Sequence, residues 1–492
     1  MSREHLYPSP PRQVLAELYL GKCLGDVPTP AAVINIAAVR RNCERMLQTC
    51  DQFDLGWRAH VKTHKTVEIT QLQVGKDANR PVNIIVSTLA EAEFLLPMLK
   101  EHRNRGRRVN VLYGLPISQN AMSRLAAVAQ TLGQSSVSVL LDDPSQVAII
   151  SKFHALSGVM PHAYIKVDMG GRRAGLQVQS DRFLELVDAA LEAHSQGEIV
   201  LSGLYSHAGH SYGGDSRVVA IKMMRAEMAA MLEGAERLKS RASDKSVANL
   251  PALVVSAGAS PTSMSVQNLI SAAAAAAEEE EERDYKKGTE AISDQLRIEA
   301  QSLAELFASM RGKGLAIEIH AGVYPILDLQ QLAAHSIGAS RLSWRDIALT
   351  VLAEVHSNYP GRGAKGSDEV LIGAGGLALA REACKAYEGM AMLTPWNRKR
   401  AKQPTCDVEE FRGWIVGRVS QEHGILTWRS GNSRAPYTPP HEETPKVGDK
   451  VRLWPNHACI TGSHFGWYLV VDEDRAGKED EIIDVWIRGR GW

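Results

Sequence analysis

The chain has 492 residues, 44% of them hydrophobic and 23% charged, which fits a globular protein with more than one core. Its 56 Lys and Arg balance 56 Asp and Glu, so nothing in the charge suggests a chain built for nucleic acid or an anionic membrane. Six cysteines, at 23, 43, 50, 384, 406 and 459, form no C-x-x-C pair and are too sparse for a disulfide scaffold; reduced thiols in a cytoplasmic compartment fit them.

Neither terminus carries an address. MSREHLYPSPPRQ lacks the apolar stretch of a signal peptide, and RGRGW is no retention or peroxisomal tail. No apolar run is long enough to cross a membrane.

Taken in chain order, eight short apolar runs read as strands: 58–62, 82–87, 108–113, 137–141, 163–168, 199–205, 252–256 and 315–320. Amphipathic segments such as 88–102 and 180–194 lie between them. This alternation predicts an α/β fold, a TIM-like (β/α)8 barrel over residues 28–335; a doubly wound open sheet would alternate similarly. Residues 271–290, rich in alanine and glutamate, read as a solvated insertion. From 336 to 492 the texture changes to short strand-like runs separated by Gly, Pro and Asn, which predicts a smaller, mostly antiparallel β domain. RKRAKQP, 398–404, is a basic loop of the solvated kind.

In a barrel, chemistry gathers at the C-terminal ends of the strands. There the sequence places Lys62, Thr88, Asp168, Tyr205 with His207, Ser256 with Gly258, and His320 with Gly322. The first of these ends, GWRAHVKTHKT (56–66), allows three readings: a basic nucleic-acid patch, a solvated strand end, or a lysine that makes a covalent bond. Neutral overall charge disfavours the first. Desolvation and neighbouring cations lower a lysine's pKa and make it nucleophilic toward aldehydes, as pyridoxal phosphate requires. On that reading His60, His64 and Lys65 keep the surroundings of Lys62 positive.

Such a cofactor needs an anion cradle, and VVSAGASPTS (254–263) offers small residues and hydroxyls straight after a strand, although such clusters are usually plain turns. KVDMGGRRAGL (166–176) sets Asp168 and Arg173 around a glycine turn, either as a structural pair or with Arg173 beside a cofactor oxygen. In LWPNHACITGSHFG (453–466), His457 and Cys459 stand two apart; on a strand they would share a face and could reach one zinc ion, or they are simply a buried thiol and a bonded imidazole.

Together RAHVKTHKT (58–66), VDMGGRRAG (167–175), GLYSHAGHSY (203–212), SAGASPTS (256–263), EIHAGVYPILD (318–328), SQEHG (420–424) and PNHACIT (455–461) resemble the eukaryotic-type D-serine dehydratase family, akin to the D-threonine aldolases and, more distantly, alanine racemase. The resemblance implies a racemase-like barrel followed by a β domain, in a homodimer whose chains complete each other's sites. It implies pyridoxal phosphate bound as a Schiff base to Lys62. Arg173 would contact the ring oxygen, with Tyr205 and Tyr212 also touching the cofactor. Gly258, Ser260, Thr262, Gly322 and Tyr324 would line the phosphate, and His457 and Cys459 would hold Zn2+. The implied reaction is β-elimination of D-serine to pyruvate and ammonia. The alternatives are aldol cleavage of D-threonine or a similar β-hydroxy D-amino acid, and a non-catalytic cofactor carrier. Two departures stand out. Many members read H-P-G-N-Y where this chain has His320-Ala321-Gly322-Val323-Tyr324, and racemases place an arginine near His320. The His-x-Cys spacing resembles the dehydratases, whereas the aldolases tend to carry His-x-Asp; a thiolate also favours zinc over harder ions.

Overall fold

In this computed structural model, residues 8–269, 290–398, 403–404, 407–431 and 443–492 are described. The expected insertion therefore lies outside the described residues up to 289, as do Cys406 and most of the basic loop.

The first strand, β1 (Ala31–Asn35), leads into a helix over Ile36–Gln52, capped by the Asn35 side chain accepting the Ala37 N–H. Eight strands follow: β2 (Gly56–His60), β3 (Val82–Val86), β4 (Val109–Pro116), β5 (Val137–Leu141), β6 (His162–Val167), β7 (Val200–Ser206), β8 (Val254–Ala257) and β9 (Ala316–Ala321). They pair in parallel, and β2 against β9 closes the barrel. All eight expected strands are present, and closure rules out the open sheet.

Four of the helices that follow barrel strands start with one device. Thr66, Thr88, Ser180 and Ser216 each accept a backbone N–H in the first turn of the helix they precede. These hydroxyls fix where the four helices start.

Among the described residues, eight further strands come after the barrel: β10 (Leu349–Tyr359), β11 (Glu369–Ile372), β12 (Ala391–Leu393), β13 (Gly413–Val419), β14 (Gly424–Arg429), β15 (Lys450–Pro455), β16 (Trp467–Val471) and β17 (Asp484–Ile487). The sheet order is β11-β14-β13-β12-β15-β10-β1-β16-β17, and β11 also pairs with β10, so six antiparallel strands form a ring. The expected division at 335/336 is crossed by β1, which pairs antiparallel with β10 and parallel with β16. The two units are interleaved in the chain. No helix among the described residues is long and apolar enough to cross a membrane.

Candidate active site

Residues two apart on a strand share a face, so each barrel strand sends one set of side chains outward and one inward. On β2, Trp57 and Ala59 join the core under the helices, while Arg58 and His60 point inward. The inward set of β9 is Glu318 and His320; that of β8 includes Ser256.

These inward groups form a connected chain. Arg58 Nε donates to Glu318 Oε1 at 2.7 Å, and both side chains are almost fully buried. Arg58 also donates to Asn110 Oδ1 at 2.7 Å. Ser256 Oγ lies 2.8 Å from Glu318 Oε1 and 3.1 Å from His320 Nδ1. An ionised carboxylate only accepts, so the single Ser256 proton goes to Glu318 and the serine oxygen takes Nδ1–H from His320. The His320 Nε2 atom is left bare, buried and without a partner. The His320 ring stacks on Tyr205, 4.5 Å away and 4° from parallel. His207, 6.0 Å from His320, donates its Nδ1–H to the Gly258 carbonyl at 2.8 Å.

Lys62 follows β2 in the turn at the barrel mouth. Burial lowers its pKa; the Cys459 thiol and Glu91 oppose the shift, and Arg173 adds to it. Burial likewise drives His60 well below its ordinary value, helped by Lys62, His207 and His320. The expected positive flank is therefore corrected. His60 is neutral, and His64 is turned away, its Nε2 at 2.9 Å from Gln73 Oε1, with burial pulling its pKa to about 3. Lys65 is neutralised by Glu91 at 2.9 Å. Arg173, from the glycine turn after β6, is the cation that acts on Lys62. Asp168 does not pair with Arg173; its Oδ1 accepts the Gly170 and Arg172 backbone N–H groups, each at 3.0 Å, and shapes the turn.

The expected phosphate loop is a tight crossing. Gly258 has φ +143°, and a Cβ there would lie 2.2 Å from Ser263 Oγ and 2.6 Å from the His320 carbonyl. Ser260 Oγ accepts the Val323 N–H at 3.1 Å, joining this loop to the one after β9. Thr262 Oγ1 accepts the Ala259 N–H at 2.9 Å, so it builds the turn. Gly322 passes close to His60, where a Cβ would come within 3.3 Å of its Cβ. Tyr212 sits by Ser260 and Cys459, and burial raises its pKa. Tyr324 is the exception. Its hydroxyl lies 3.9 Å from Cys43 Sγ and its ring stands edge-on to Trp57 at 5.3 Å, so its side chain is in the core beside the helix over Ile36–Gln52, away from the cradle.

His457 and Cys459 reach this mouth from the second sheet. β15 ends at Pro455; His457 is still extended, and Cys459 lies in the first turn of a helix over Ala458–Ser463. The pair is thus carried by a strand-to-helix turn, not by one strand face as the spacing suggested. Cys459 Sγ is 3.1 Å from Thr63 Oγ1, the residue next to Lys62. His457 Nδ1 is 3.1 Å from Glu382 Oε2, and Asp328 Oδ2 accepts the N–H of Ala458, which lies between His457 and Cys459, at 2.8 Å. Burial opposes charge on His457, but Cys459, Asp328 and Glu382 outweigh it and raise its pKa to about 9.

Sequence reasoning passed over Lys166, Glu227, Asp328 and Glu382. Lys166 was findable, because it interrupts an apolar strand in phase with the inward Tyr164. Its pKa falls to about 8 through burial and Arg173, and its Nζ sits 4.8 Å above the Tyr205 ring. Among the described residues a separate cluster of metal-type donors, His335, Asp407 and Glu409, shares no member with the His457–Cys459 pair.

The amine at Lys62, the unpartnered Nε2 of His320 and the unpartnered buried Ser211 Oγ fit a bound pyridoxal phosphate. A thiol beside an imidazole is a donor set suited to zinc. The barrel places the chain in the alanine racemase-like class: residues 34–277 match the family model described as alanine racemase, N-terminal domain, and residues 348–471 match the putative serine dehydratase domain. The chain is 32% identical to the D-serine dehydratase of Schizosaccharomyces pombe, covering 98% of this chain and 96% of that protein. It is 31% identical to that of Saccharomyces cerevisiae, covering 96% and 98%. The chain belongs to the D-serine dehydratase family, whose cofactor is pyridoxal phosphate. Among solved structures, D-threo-3-hydroxyaspartate dehydratase from Delftia sp. shares the fold, with a TM-score of 0.68 and 24% identity, covering 96% of this chain and 100% of that one.

Proposed function

We propose that this protein is a D-serine dehydratase that uses pyridoxal phosphate and a zinc ion to convert D-serine to pyruvate and ammonia. One observation carries the reading. Cys459, paired with His457, lies 3.1 Å from Thr63, so a metal-type donor pair stands beside Lys62 within a single chain. A cytoplasmic homodimer belongs to the same reading.

Bound here, pyridoxal phosphate supplies an electron sink for the charge left when Cα loses its proton. Lys62 Nζ is its covalent anchor and, once freed, the base for the Cα proton, since burial favours its neutral form. Arg173, Tyr205 and Tyr212 would contact the ring, and Gly258, Ser260 and Gly322 would receive the phosphate, with Thr262 shaping the turn. Hydroxide is a poor leaving group, and a zinc ion held by His457 and Cys459 would supply Lewis acidity for its departure. Glu91 and Lys65 neutralise each other beside this centre, so neither competes for substrate charge.

The test is pyruvate release by purified holoenzyme from D-serine and L-serine, with and without a chelator. Pyruvate from D-serine alone, lost on chelation and restored by Zn2+, is the expected result. Acetaldehyde from D-threonine with no pyruvate from D-serine would transfer the assignment to an aldolase.

A further inference from the structure

We propose that Glu382 is the positioning residue of the metal site: it takes the Nδ1 proton of His457 and leaves Nε2 as the nitrogen that faces the ion. The inference rests on the metal reading of His457 and Cys459 given above.

Glu382 Oε2 lies 3.1 Å from His457 Nδ1. A carboxylate can only accept, so Nδ1 donates, and Nε2 is left as the nitrogen that gives up its proton to an arriving ion and offers its lone pair. Glu382 is not itself a third ligand. Its carboxylate, the His457 imidazole and the Cys459 sulfur do not converge within the 4.8 Å that a shared ion needs. The carboxylate grips the imidazole from a side that the thiol does not share.

The segment bearing Glu382 is built to stay in place. Asn456, immediately before His457 and almost fully buried, donates its Nδ2 to the Glu382 carbonyl at 2.8 Å and to the Gly389 carbonyl at 2.7 Å. Tyr387 donates its hydroxyl to Asn456 Oδ1. Gln330 holds the Ala383 carbonyl at 2.8 Å, and Lys385 reaches the Gly213 and Gly214 carbonyls next to Tyr212. The ligand and its orienting carboxylate are thus fastened to the same asparagine. A metal-bound histidine whose second nitrogen is held by a carboxylate binds its ion more tightly, and losing that partner typically costs about 10–100-fold in affinity.

The experiment measures zinc affinity of the full-length holoenzyme by competition with a chelating dye, for wild type, Glu382→Ala, Glu382→Gln and His457→Ala. Glu382 is partly exposed, so its variants keep the wild-type melting temperature and cofactor absorbance. The expected result is a Kd raised about 10–100-fold in Glu382→Ala, a smaller rise in Glu382→Gln, which keeps an acceptor, and loss of binding in His457→Ala. Wild-type zinc affinity in Glu382→Ala, with binding lost in His457→Ala, would overturn the proposal and leave the metal site standing. Wild-type affinity in His457→Ala would overturn both.

Discussion

Glu227 is a carboxylate with no room for its charge. It lies on the helix over Arg217–Asp244, fully buried, with Oε1 accepting from Ser206 Oγ at 2.9 Å and Oε2 unpartnered. Burial raises its pKa from 4.5 to about 7, against the pull of Ser206, the Gly258 and Ala208 backbone groups and Lys166. The folded protein therefore holds this proton more tightly than the unfolded chain does. That contribution to stability is full below about pH 4.5 and is lost as pH rises through about 7, a swing on the order of 3 kcal/mol. Urea unfolding of wild type and Glu227→Gln across this window should show it. The wild type declines relative to the variant as pH rises, and parallel curves would show that Glu227 ionises freely in the fold.

At the scale of elements, the barrel closes between β2 and β9, and the seam carries the Arg58–Glu318 ion pair. A buried pair is weak evidence for net stability, because desolvation offsets most of the attraction. Breaking one side is another matter, since it leaves an uncompensated charge in the barrel. Glu318→Gln should destabilise the protein by about 3–5 kcal/mol in denaturant unfolding. The same change frees the Ser256 hydroxyl to turn toward His320 and ends the constraint on that ring's tautomer. A loss below about 1 kcal/mol would mean that Asn110 and the Tyr164 ring, 5.9 Å from the guanidinium carbon, already satisfy Arg58.

At the scale of the molecule, neither unit stands alone. β1 precedes the barrel yet sits between β10 and β16, so the sheet is incomplete without the chain's start and β1 has no partners without its end. The mouth is shared as well, because Thr63 of the barrel meets Cys459 of the sheet. A chain ending at residue 335 keeps all eight barrel strands but leaves β1 with two bare edges, which invites aggregation. It should lack a cooperative thermal transition and the cofactor absorbance. A soluble, yellow fragment would show that the barrel is an independent unit.

Much was legible in the sequence because it is written in local periodicity and local chemistry. Short apolar runs between amphipathic segments marked all eight barrel strands, and the change of texture near 336 marked the sheet. Three strands went unread: β12 and β17, three and four residues long, and β1, which lies ahead of the barrel runs and pairs only with strands far along the chain. Lys62 and the glycine-serine loop stood out at strand ends, and Arg173 in the glycine turn after one. What sequence could not decide was whatever depends on a partner far along the chain. Lys65 looks like a second cation until Glu91 neutralises it, and His64 looks like a sibling of His60 until Gln73 claims it. Tyr324 shares a motif with Gly322, but its side chain goes to Cys43 in the core. Glu382 carries no motif at all; its meaning comes from standing 3.1 Å from an imidazole 75 positions later. Strand, turn and helix follow from neighbours in the chain. Charge, protonation and orientation follow from neighbours in space, which only the closed barrel and the sheet folded against it bring together.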